Sequence, residues 1–395
     1  MKTVIGFFIL VQQFSAQTWM QLDDFPGTRR DDGAAVVVNS TAYFGTGLQE
    51  GWSSTTDWYA LDMSNLKWRT VKAMPDNTER QYANAFAGPD AFYVFGGIGP
   101  GAALNNLYRY DINSDTWAEK TPKPGKGLIG AACLPFGNKV FIVGGKVHHD
   151  SVPTSEVWEY NTDNDLWQRR KDLPFAARWR SAGCSLGPYG YLAGGVGAGD
   201  FLFNKMYRYD PGTDTWDSLG VLPQVPVFYP SLQPLLNKLI FFGGQDSSGQ
   251  FHNSSWYYSV TQQQWYQGPV LPSGGRKGGM AVSFNEKFIY SCGLGVGNQR
   301  LNETWMLDLP LSLEELVSQE VSVYPNPFVE FIQVSVETGE LLTVTIFDTN
   351  GTEILQTSIS GHKKRLDTSS LPSGLYLMKL SRSDGRLYHK KVVKY

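Results

Sequence analysis

The sequence predicts an all-β protein in two parts, a ring of six similar four-stranded units followed by a smaller β-domain. The first observation is a regular series of tryptophans, with successive gaps of 49, 49, 50, 49 and 49 residues. The series consists of Trp19, Trp68, Trp117, Trp167, Trp216 and Trp265. A glycine pair or its remnant keeps the same spacing, at 45–47, 96–97, 144–145, 194–195, 243–244 and 292–293. A period of this length indicates a repeat architecture.

Composition supports the all-β prediction and excludes some classes of function. Aromatic residues make up 14% of the 395 residues and glycine contributes 42, which favours short strands joined by tight turns. Many aromatics and a net charge of only −3 exclude disorder for most of the chain. The slightly acidic balance also argues against nucleic-acid binding.

Each repeat is predicted to contain four strands. A third signal lies between each glycine pair and the next tryptophan, as in NLYRYD at 106–111. The repeat therefore has a first strand such as Tyr82–Ala87, an apolar second strand such as Phe92–Gly97, an alternating third strand, and a fourth strand beginning at the tryptophan. Four strands in a repeat of this length are typical of a β-propeller blade. Six repeats thus predict a six-bladed propeller.

The chain resembles the Kelch β-propeller family over residues 18–309. The matching features are the glycine pair, the Tyr-Asp of the third strand, the tryptophan after it and an arginine that opens the next unit. The first repeat departs from the pattern with Thr46 between two glycines, and the sixth has Cys292 in place of the first glycine. The resemblance implies a six-bladed Kelch-type β-propeller.

The two ends of the repeat region are expected to meet. The sixth repeat ends its third strand at Trp305–Leu309 and has no fourth-strand tryptophan after it. An unassigned strand, Trp19–Leu22, precedes the first repeat. We expect this N-terminal strand to complete the last blade, which closes the ring and removes exposed strand edges.

The N-terminus has the features of a secretory signal peptide, assigned to residues 1–17. Lys2 precedes a short apolar segment, Val4–Val11, and residues 14–17 form a plausible cleavage zone. No later stretch offers 18 apolar residues, so no transmembrane segment is predicted.

The composition changes near residue 310, because none of the 12 tryptophans lies after Trp305. Residues 310–319 read as a linker, and alternating strands in 320–395 predict a small β-sandwich. This tail resembles the type A C-terminal sorting domain of the type IX secretion system of Bacteroidetes. The matching motifs are Pro-Asn-Pro at 325–327, an Asp-x-x-Gly turn at 348–351, Leu-Pro-x-Gly-x-Tyr at 371–376 and a basic last strand. The resemblance implies the type IX machinery as a partner and a secreted or surface-attached protein.

Candidate ligand-binding residues recur in the loops between blades, on the face where a propeller usually carries its ligand. Several are arginines, which grip carboxylates with two parallel hydrogen bonds. They are Arg30, Arg80, Arg178, Arg180 and Arg276. By the resemblance, arginine at this repeat position lines the pocket of Kelch proteins that bind acidic peptides. The alternative is that these arginines pair with neighbouring blades or with backbone carbonyls.

Aromatic residues of the same face extend the candidate site, namely Trp52, Trp179 and Tyr229. Aromatic rings beside carboxylates and arginines suit sugars, because apolar sugar faces stack on rings while polar groups bind the hydroxyls. Packing within the fold is the alternative for each. His148, His149 and Asp150 could ligate a metal, but adjacent histidines on a strand point to opposite sides. The sequence therefore predicts neither a metal site nor a cofactor.

These observations give two functional hypotheses. The first is an exported, non-catalytic propeller that binds an extracellular glycan or protein through its loop face. The alternative is an enzyme, because the chain resembles bacterial six-bladed Kelch proteins that are sialic-acid mutarotases. A cationic mouth would then hold the sugar carboxylate while an acid/base pair opens the ring. Candidate groups for that pair are Glu50, Asp200 or Asp246, with Arg80 or Arg178.

Overall fold

The computed structural model describes residues 18–308, 321–326, 328–336, 342–348, 352–361, 363–382 and 387–395. The expected signal peptide at 1–17 and the expected linker at 310–319 lie outside the described residues. The chain divides into two compact units, Met1–Leu309 and Pro310–Tyr395.

The first unit contains six four-stranded antiparallel sheets that stand as blades around a central channel. The first strand of each blade contacts the first strands of both neighbouring blades, so the six strands enclose the axis. From the axis outward, blade 1 contains Ala34–Val38, Thr41–Gly45, Trp58–Asp62 and Lys67–Val71, and blade 2 contains Asn84–Gly88, Ala91–Phe95, Leu107–Asp111 and Thr116–Lys120. In the same order, blade 3 contains Ala132–Phe136, Lys139–Val143, Val157–Asn161 and Leu166–Arg169. Blade 4 contains Ala182–Leu186, Tyr189–Ala193, Lys205–Asp210 and Thr215–Val221. Blade 5 contains Ser231–Leu235, Lys238–Phe242, Ser255–Ser259 and Gln264–Gln267. The six-bladed all-β prediction is confirmed.

Blade 6 is built from both ends of the ring. Its inner strands are Met280–Phe284, Lys287–Ser291 and Thr304–Asp308, and its outer strand is Trp19–Gln21. Trp19 pairs with Leu307, and its indole N–H donates to the carbonyl of Pro269 in the preceding blade at 3.0 Å. The predicted closure by the N-terminal strand is confirmed.

The loop face carries short additional elements in blades 1, 4 and 6. Arg30–Asp31 pairs with Leu48–Gln49, and Arg276–Lys277 pairs with Leu294–Gly295. Single 3-10 turns lie at Glu50–Trp52, Ala198–Asp200 and Val296–Asn298. These pairings tie the residues before a blade's first strand to the loop between its second and third strands, so both loops share one face.

The glycine pairs allow this close approach of two loops. Gly97 has a φ of 88°, and a Cβ added there would lie 2.5 Å from the carbonyl oxygen of Gln81. Any other residue would therefore be strained and would clash with the backbone of the inter-blade loop. The glycine pairs thus stand at the points where the chain leaves the second strand and passes close to the inter-blade loop.

The second unit is a β-sandwich, as predicted. One sheet contains Val321–Tyr324, Phe331–Val336 and Lys363–Asp367. The other contains, in spatial order, Glu353–Ile359, Leu342–Phe347, Gly374–Arg382 and Leu387–Lys394. Buried residues of both sheets share one core, including Ile332 and Val334 from the first sheet and Val344, Ile346 and Met378 from the second.

Candidate functional site

Six equivalent residues surround the axis on the loop face, each two positions before the first strand of its blade. We call them the mouth ring: Asp32, Tyr82, Gly130, Arg180, Tyr229 and Gly278. All six have φ between 55° and 61°, in the left-handed region. Backbone N–H groups of this ring donate to the carbonyl of the preceding member, as from Tyr82 to Asp32 at 2.9 Å and from Arg180 to Gly130 at 2.8 Å. The repeat period of about 49 residues therefore places one residue per blade around the mouth.

Glycine occupies two of the six positions of the mouth ring, Gly130 and Gly278. A Cβ added at Gly278 would lie 2.6 Å from Oδ1 of Asp32. With glycines in blades 3 and 6, the ring presents its side chains from Asp32, Tyr82, Arg180 and Tyr229. These four line a mouth cavity of about 130 Å³.

Arg180 is held in the mouth by aromatic rings. Its guanidinium carbon lies 3.7 Å from the centre of the Trp179 ring and 4.1 Å from that of Tyr229. It also donates to the Tyr82 hydroxyl at 3.3 Å, and the Tyr82 and Tyr229 rings stack with centroids 5.6 Å apart. Arg180 Nε and the Tyr229 hydroxyl are buried and have no hydrogen-bond partner. The guanidinium is therefore fixed in position with donor capacity to spare.

Two lysines add positive charge beside Arg180. Lys146 Nζ lies 4.1 Å from the centre of the Trp179 ring, and Lys277 Nζ lies 4.5 Å from that of Phe228. Burial lowers the pKa of Lys277, with Asp32 acting in the opposite direction. Burial also lowers the pKa of Arg180, although a guanidinium keeps its proton near neutral pH. The mouth is thus a cationic and aromatic environment.

Asp32 is a buried carboxyl group that stands three blades from Arg180 in the mouth ring. Burial, and next the adjacent charge of Asp31, raise the pKa of Asp32 well above its usual value, while Arg180 opposes the shift. Asp31 is engaged in an ion pair with Arg300 at 2.6 Å. The mouth therefore combines cations with a carboxyl group that holds its proton more tightly than an ordinary aspartate.

Four of the five candidate arginines lie beneath the mouth. Arg30, Arg80, Arg178 and Arg276 are fully buried, with at most 1% of each exposed. The first three donate to a carbonyl of their own blade's glycine-pair segment, at Thr46, Gly96 and Gly194. Arg30 also pairs with Asp57 at 2.6 Å, and Arg276 pairs with Glu303 at 2.7 Å. These arginines hold loops together within a blade, as in the alternative that they pair with backbone carbonyls instead of a ligand. Of the five candidate arginines, only Arg180 lines the mouth cavity.

The aromatic candidates take three different positions. Tyr229 lines the mouth cavity. Trp179 is buried and supports Arg180 and Lys146 from below. Trp52 is 82% exposed and lies outside the mouth, in a cleft between the loops of blades 1 and 2.

The acidic candidates of the enzyme hypothesis lie outside the mouth ring. Glu50 and Asp200 are exposed in the 3-10 turns of blades 1 and 4. The Asp246 carboxylate lies 3.0 Å from Nε2 of His252. Burial acts to raise the pKa of Asp246, but hydrogen bonds from Ser248 and His252 outweigh it and lower that pKa to about 2. Among the described residues, no three His, Cys, Asp or Glu side chains group together as metal ligands.

Sequence reasoning missed Asp32, Tyr82 and Lys146. Asp32 and Tyr82 stand two residues after Arg30 and Arg80, as Arg180 stands two after Arg178. Aligning the repeats at that offset would have identified the mouth ring. Lys146 has no such signal, because it follows the glycine pair of blade 3 and reaches Trp179 of the next blade.

Comparison with known proteins identifies the repeat. Residues 8–186 and 130–312 match the KLHDC2/KLHL20/DRC7 Kelch-repeats domain, and the two matches together span well over half of the chain. This chain belongs to the Kelch-repeat family. Beyond the Kelch repeats, residues 322–394 match the secretion system C-terminal sorting domain. Both family resemblances drawn from the sequence are confirmed.

Three proteins similar to this chain are covered by it to different extents. Kelch-like protein 35 of Mus musculus is 28% identical over 239 residues, which cover 60% of this chain and only 39% of the mouse protein. N-acetylneuraminate epimerase 2 of Escherichia coli O6:H1 is 25% identical over 312 residues, covering 76% of this chain and 78% of that protein. The solved structure of YjhT superposes with a TM-score of 0.63 at 18% identity, covering 73% of this chain and 97% of that one, which shows the shared fold.

The sorting domain indicates type IX secretion, either to the cell surface or into the medium. Within the described ranges, the chain contains no helix that is both long and apolar enough to cross a membrane.

Proposed function

We propose that this chain is an exported propeller that binds a carboxylate-bearing sugar in the mouth of its Kelch ring. The observation that carries the proposal is Arg180, a fixed guanidinium with an unpartnered buried Nε that lines a cavity beside the unpartnered hydroxyl of Tyr229. An arginine so placed offers charge-assisted hydrogen bonds to a carboxylate. The stacked rings around it offer apolar faces to a sugar.

A sugar suits this site better than a protein partner does. The two residues that carry the spare donors, Arg180 and Tyr229, line one cavity of about 130 Å³ instead of being spread over a broad surface. Specific protein interfaces bury about 800 Å² on each partner. The names of the epimerase relatives also point to an acidic sugar, N-acetylneuraminate.

The proposal is tested by measuring the binding of N-acetylneuraminate to the full chain by calorimetric titration, after a glycan array has screened for acidic sugars. Arg180→Gln should weaken binding at least 10-fold, since a hydrogen bond to a charged group contributes about 1.5–3 kcal/mol. Arg29→Gln is the matched control, because Arg29 is exposed and lies outside the mouth cavity. Equal losses in both variants, or no acidic sugar bound by the unaltered chain, would refute the proposal.

A second candidate function, exchange of the sugar's anomers, is favoured by Asp32. Ring opening requires the ring oxygen to gain a proton as its bond to the anomeric carbon breaks, while the anomeric hydroxyl loses its proton to water as the carbonyl forms. A carboxyl group whose pKa is raised holds a proton that it can donate to the ring oxygen and later recover. Asp32 lines the same cavity as Arg180, so a sugar held by its carboxylate would lie beside this acid.

A further inference from the structure

A second and larger depression opens on the loop face, next to the mouth. This cleft measures about 750 Å³ and lies between the second-to-third-strand loop of blade 1 and the loops of blade 2. Its size falls within the range of about 300–1,000 Å³ that is usual for small-ligand sites, whereas the mouth cavity is smaller than that range. A ligand whose end fits the mouth therefore has room to extend into the cleft.

Trp52 provides an aromatic surface in the cleft. Arg300 lies against its ring, with the guanidinium carbon 5.1 Å from the ring centre. The side chain is nevertheless 82% exposed, which leaves most of the indole open to a ligand. An exposed indole of this kind can stack on the apolar face of a sugar ring.

The rest of the cleft is lined mainly by neutral polar side chains. Four consecutive hydroxyl residues, 53–56, line it together with Gln49, Asn77 and Gln81. The Gln81 side-chain oxygen is buried and has no hydrogen-bond partner. Three acidic residues also line the cleft: Asp57, which is paired with Arg30, and Asp76 and Glu79. Carboxylates accept hydrogen bonds from hydroxyl groups and repel anions, so this lining suits neutral sugar units better than a negatively charged group.

Two connections join the cleft to the mouth. Gln81 lines the cleft while the next residue, Tyr82, lines the mouth cavity. On the other side, Trp52 contacts Arg300, which pairs with Asp31 next to Asp32. The two depressions are therefore neighbours on one continuous surface.

We propose that the cleft binds the neutral sugar units of an oligosaccharide whose terminal acidic sugar occupies the mouth. This inference rests on the proposed function and deepens it: the preferred ligand is a glycan chain with an acidic end, and Trp52 is the residue that selects chain over monosaccharide. The carboxylate is held by the mouth, and the next sugar stacks on the indole.

The test is calorimetric titration of the full chain with N-acetylneuraminate and with sialyllactose, which adds two neutral sugars to the same acidic one. Sialyllactose should bind at least 10-fold more tightly than the monosaccharide. Trp52→Ala should remove that advantage and leave the affinity for N-acetylneuraminate unchanged. Phe201→Ala is the matched control, since Phe201 is 63% exposed in the corresponding loop of blade 4 and lies outside the cleft.

Equal affinities of the unaltered chain for both sugars would overturn the cleft proposal and leave the mouth proposal standing. An equal loss of affinity for both sugars in Trp52→Ala would also overturn the cleft proposal, because the indole would then act on the mouth through Arg300 and Asp31. Binding of neither sugar would overturn both proposals.

Discussion

Two arginines separated by one residue show how strongly local conformation decides a side chain's role. Arg178 points into its own blade, where its guanidinium lies 3.9 Å from the Phe203 ring centre and donates to the carbonyl of Gly194. Arg180 has a φ of 55° and lines the mouth cavity. The left-handed residue turns the chain into the first strand, and this turn places its side chain at the axis.

The acid form of Asp32 should control any anomer exchange. Its raised pKa means that Asp32 keeps its proton to higher pH than an exposed aspartate, and that it loses this proton as pH rises through the folded-state pKa. The exchange rate of N-acetylneuraminate with the unaltered chain should therefore fall with rising pH. Asp32→Asn should slow exchange about 100-fold or more, the usual contribution of a general acid, as measured by NMR.

The control for this experiment is Arg29→Gln, which should keep the full exchange rate. Undiminished exchange in Asp32→Asn would show that another group supplies the proton. An unaltered chain that binds the sugar without accelerating exchange would establish the binding function and exclude the enzymatic one.

Repeat spacing predicts where a residue stands in its blade. Two of the candidate residues, Arg180 and Tyr229, stand in inter-blade loops and line the mouth cavity, and their role in binding stays a prediction. The interior placement of Arg30, Arg80, Arg178 and Arg276 depends on carbonyl and carboxylate partners about 16 to 27 residues further along, whose orientation spacing does not report. The repeat offset gives the position of Asp32, but its raised pKa comes from burial, which a single aspartate in a loop does not reveal.

At the scale of the strand, the Asp-x-Trp segments tie neighbouring blades together. The Trp117 indole donates to the carbonyl of Lys72 at 2.9 Å, and Asp115 accepts from the N–H of the same Lys72 at 2.8 Å. Trp167 and Asp165 bind Thr121 of the preceding blade in the same way, at 2.8 and 3.1 Å. Each pair secures the residue just after the outer strand of the preceding blade. The regular tryptophan spacing thus has a physical basis in the contact between blades.

Blade 4 offers a natural comparison for this contact. Asp214 accepts from Lys171 at 3.1 Å, but the buried indole nitrogen of Trp216 has no partner. Trp117→Phe should therefore destabilise the ring by about 1 kcal/mol more than Trp216→Phe, because only the former removes a hydrogen bond. Urea denaturation of the two variants measures the difference. Equal losses would mean that the indoles act through packing alone.

The blade pattern explains why the fold was more predictable than the site. The tryptophan, the glycine pair or its remnant, and the end of the third strand each mark a strand end or a turn in every repeat, so the predicted strands matched the structure closely. The second strand predicted at Phe92–Gly97, for example, is Ala91–Phe95 in the structure. Strand ends elsewhere shifted by a few residues, as at Asn84–Gly88, because turn geometry and not hydrophobicity sets them.

At the scale of the whole molecule, the closed ring brings cations from three different blades to one mouth. The chain has a net charge of −3, yet Arg180, Lys146 and Lys277 lie around one mouth. Several cations grouped around one opening focus a positive potential there and attract anionic ligands. A weakly acidic protein can therefore present a basic site to a carboxylate.

Because the strand Trp19–Gln21 closes the ring, we expect its contacts to contribute to the stability of the entire propeller. Trp19 is buried against Phe242 of blade 5 and Phe288 of blade 6, with ring centroids 5.1 and 5.9 Å away. Trp19→Ala should cost about 3–5 kcal/mol, the usual loss for a large buried aromatic. Met20→Ala is the control from the same strand: Met20 is 47% exposed, and its loss should stay within about 0.5 kcal/mol.

Hydrogen exchange distinguishes a cooperative ring from six independent blades. Blade 3 lies three blades from the closure in either direction around the ring, so its second strand, Lys139–Val143, makes no direct contact with Trp19. If opening of the closure unfolds the whole ring, Trp19→Ala should increase amide exchange in this distant strand as much as in blade 6. Faster exchange confined to blades 5 and 6 would show that the closing strand stabilises only its neighbours. Unchanged exchange throughout would show that the closure contributes little stability at all.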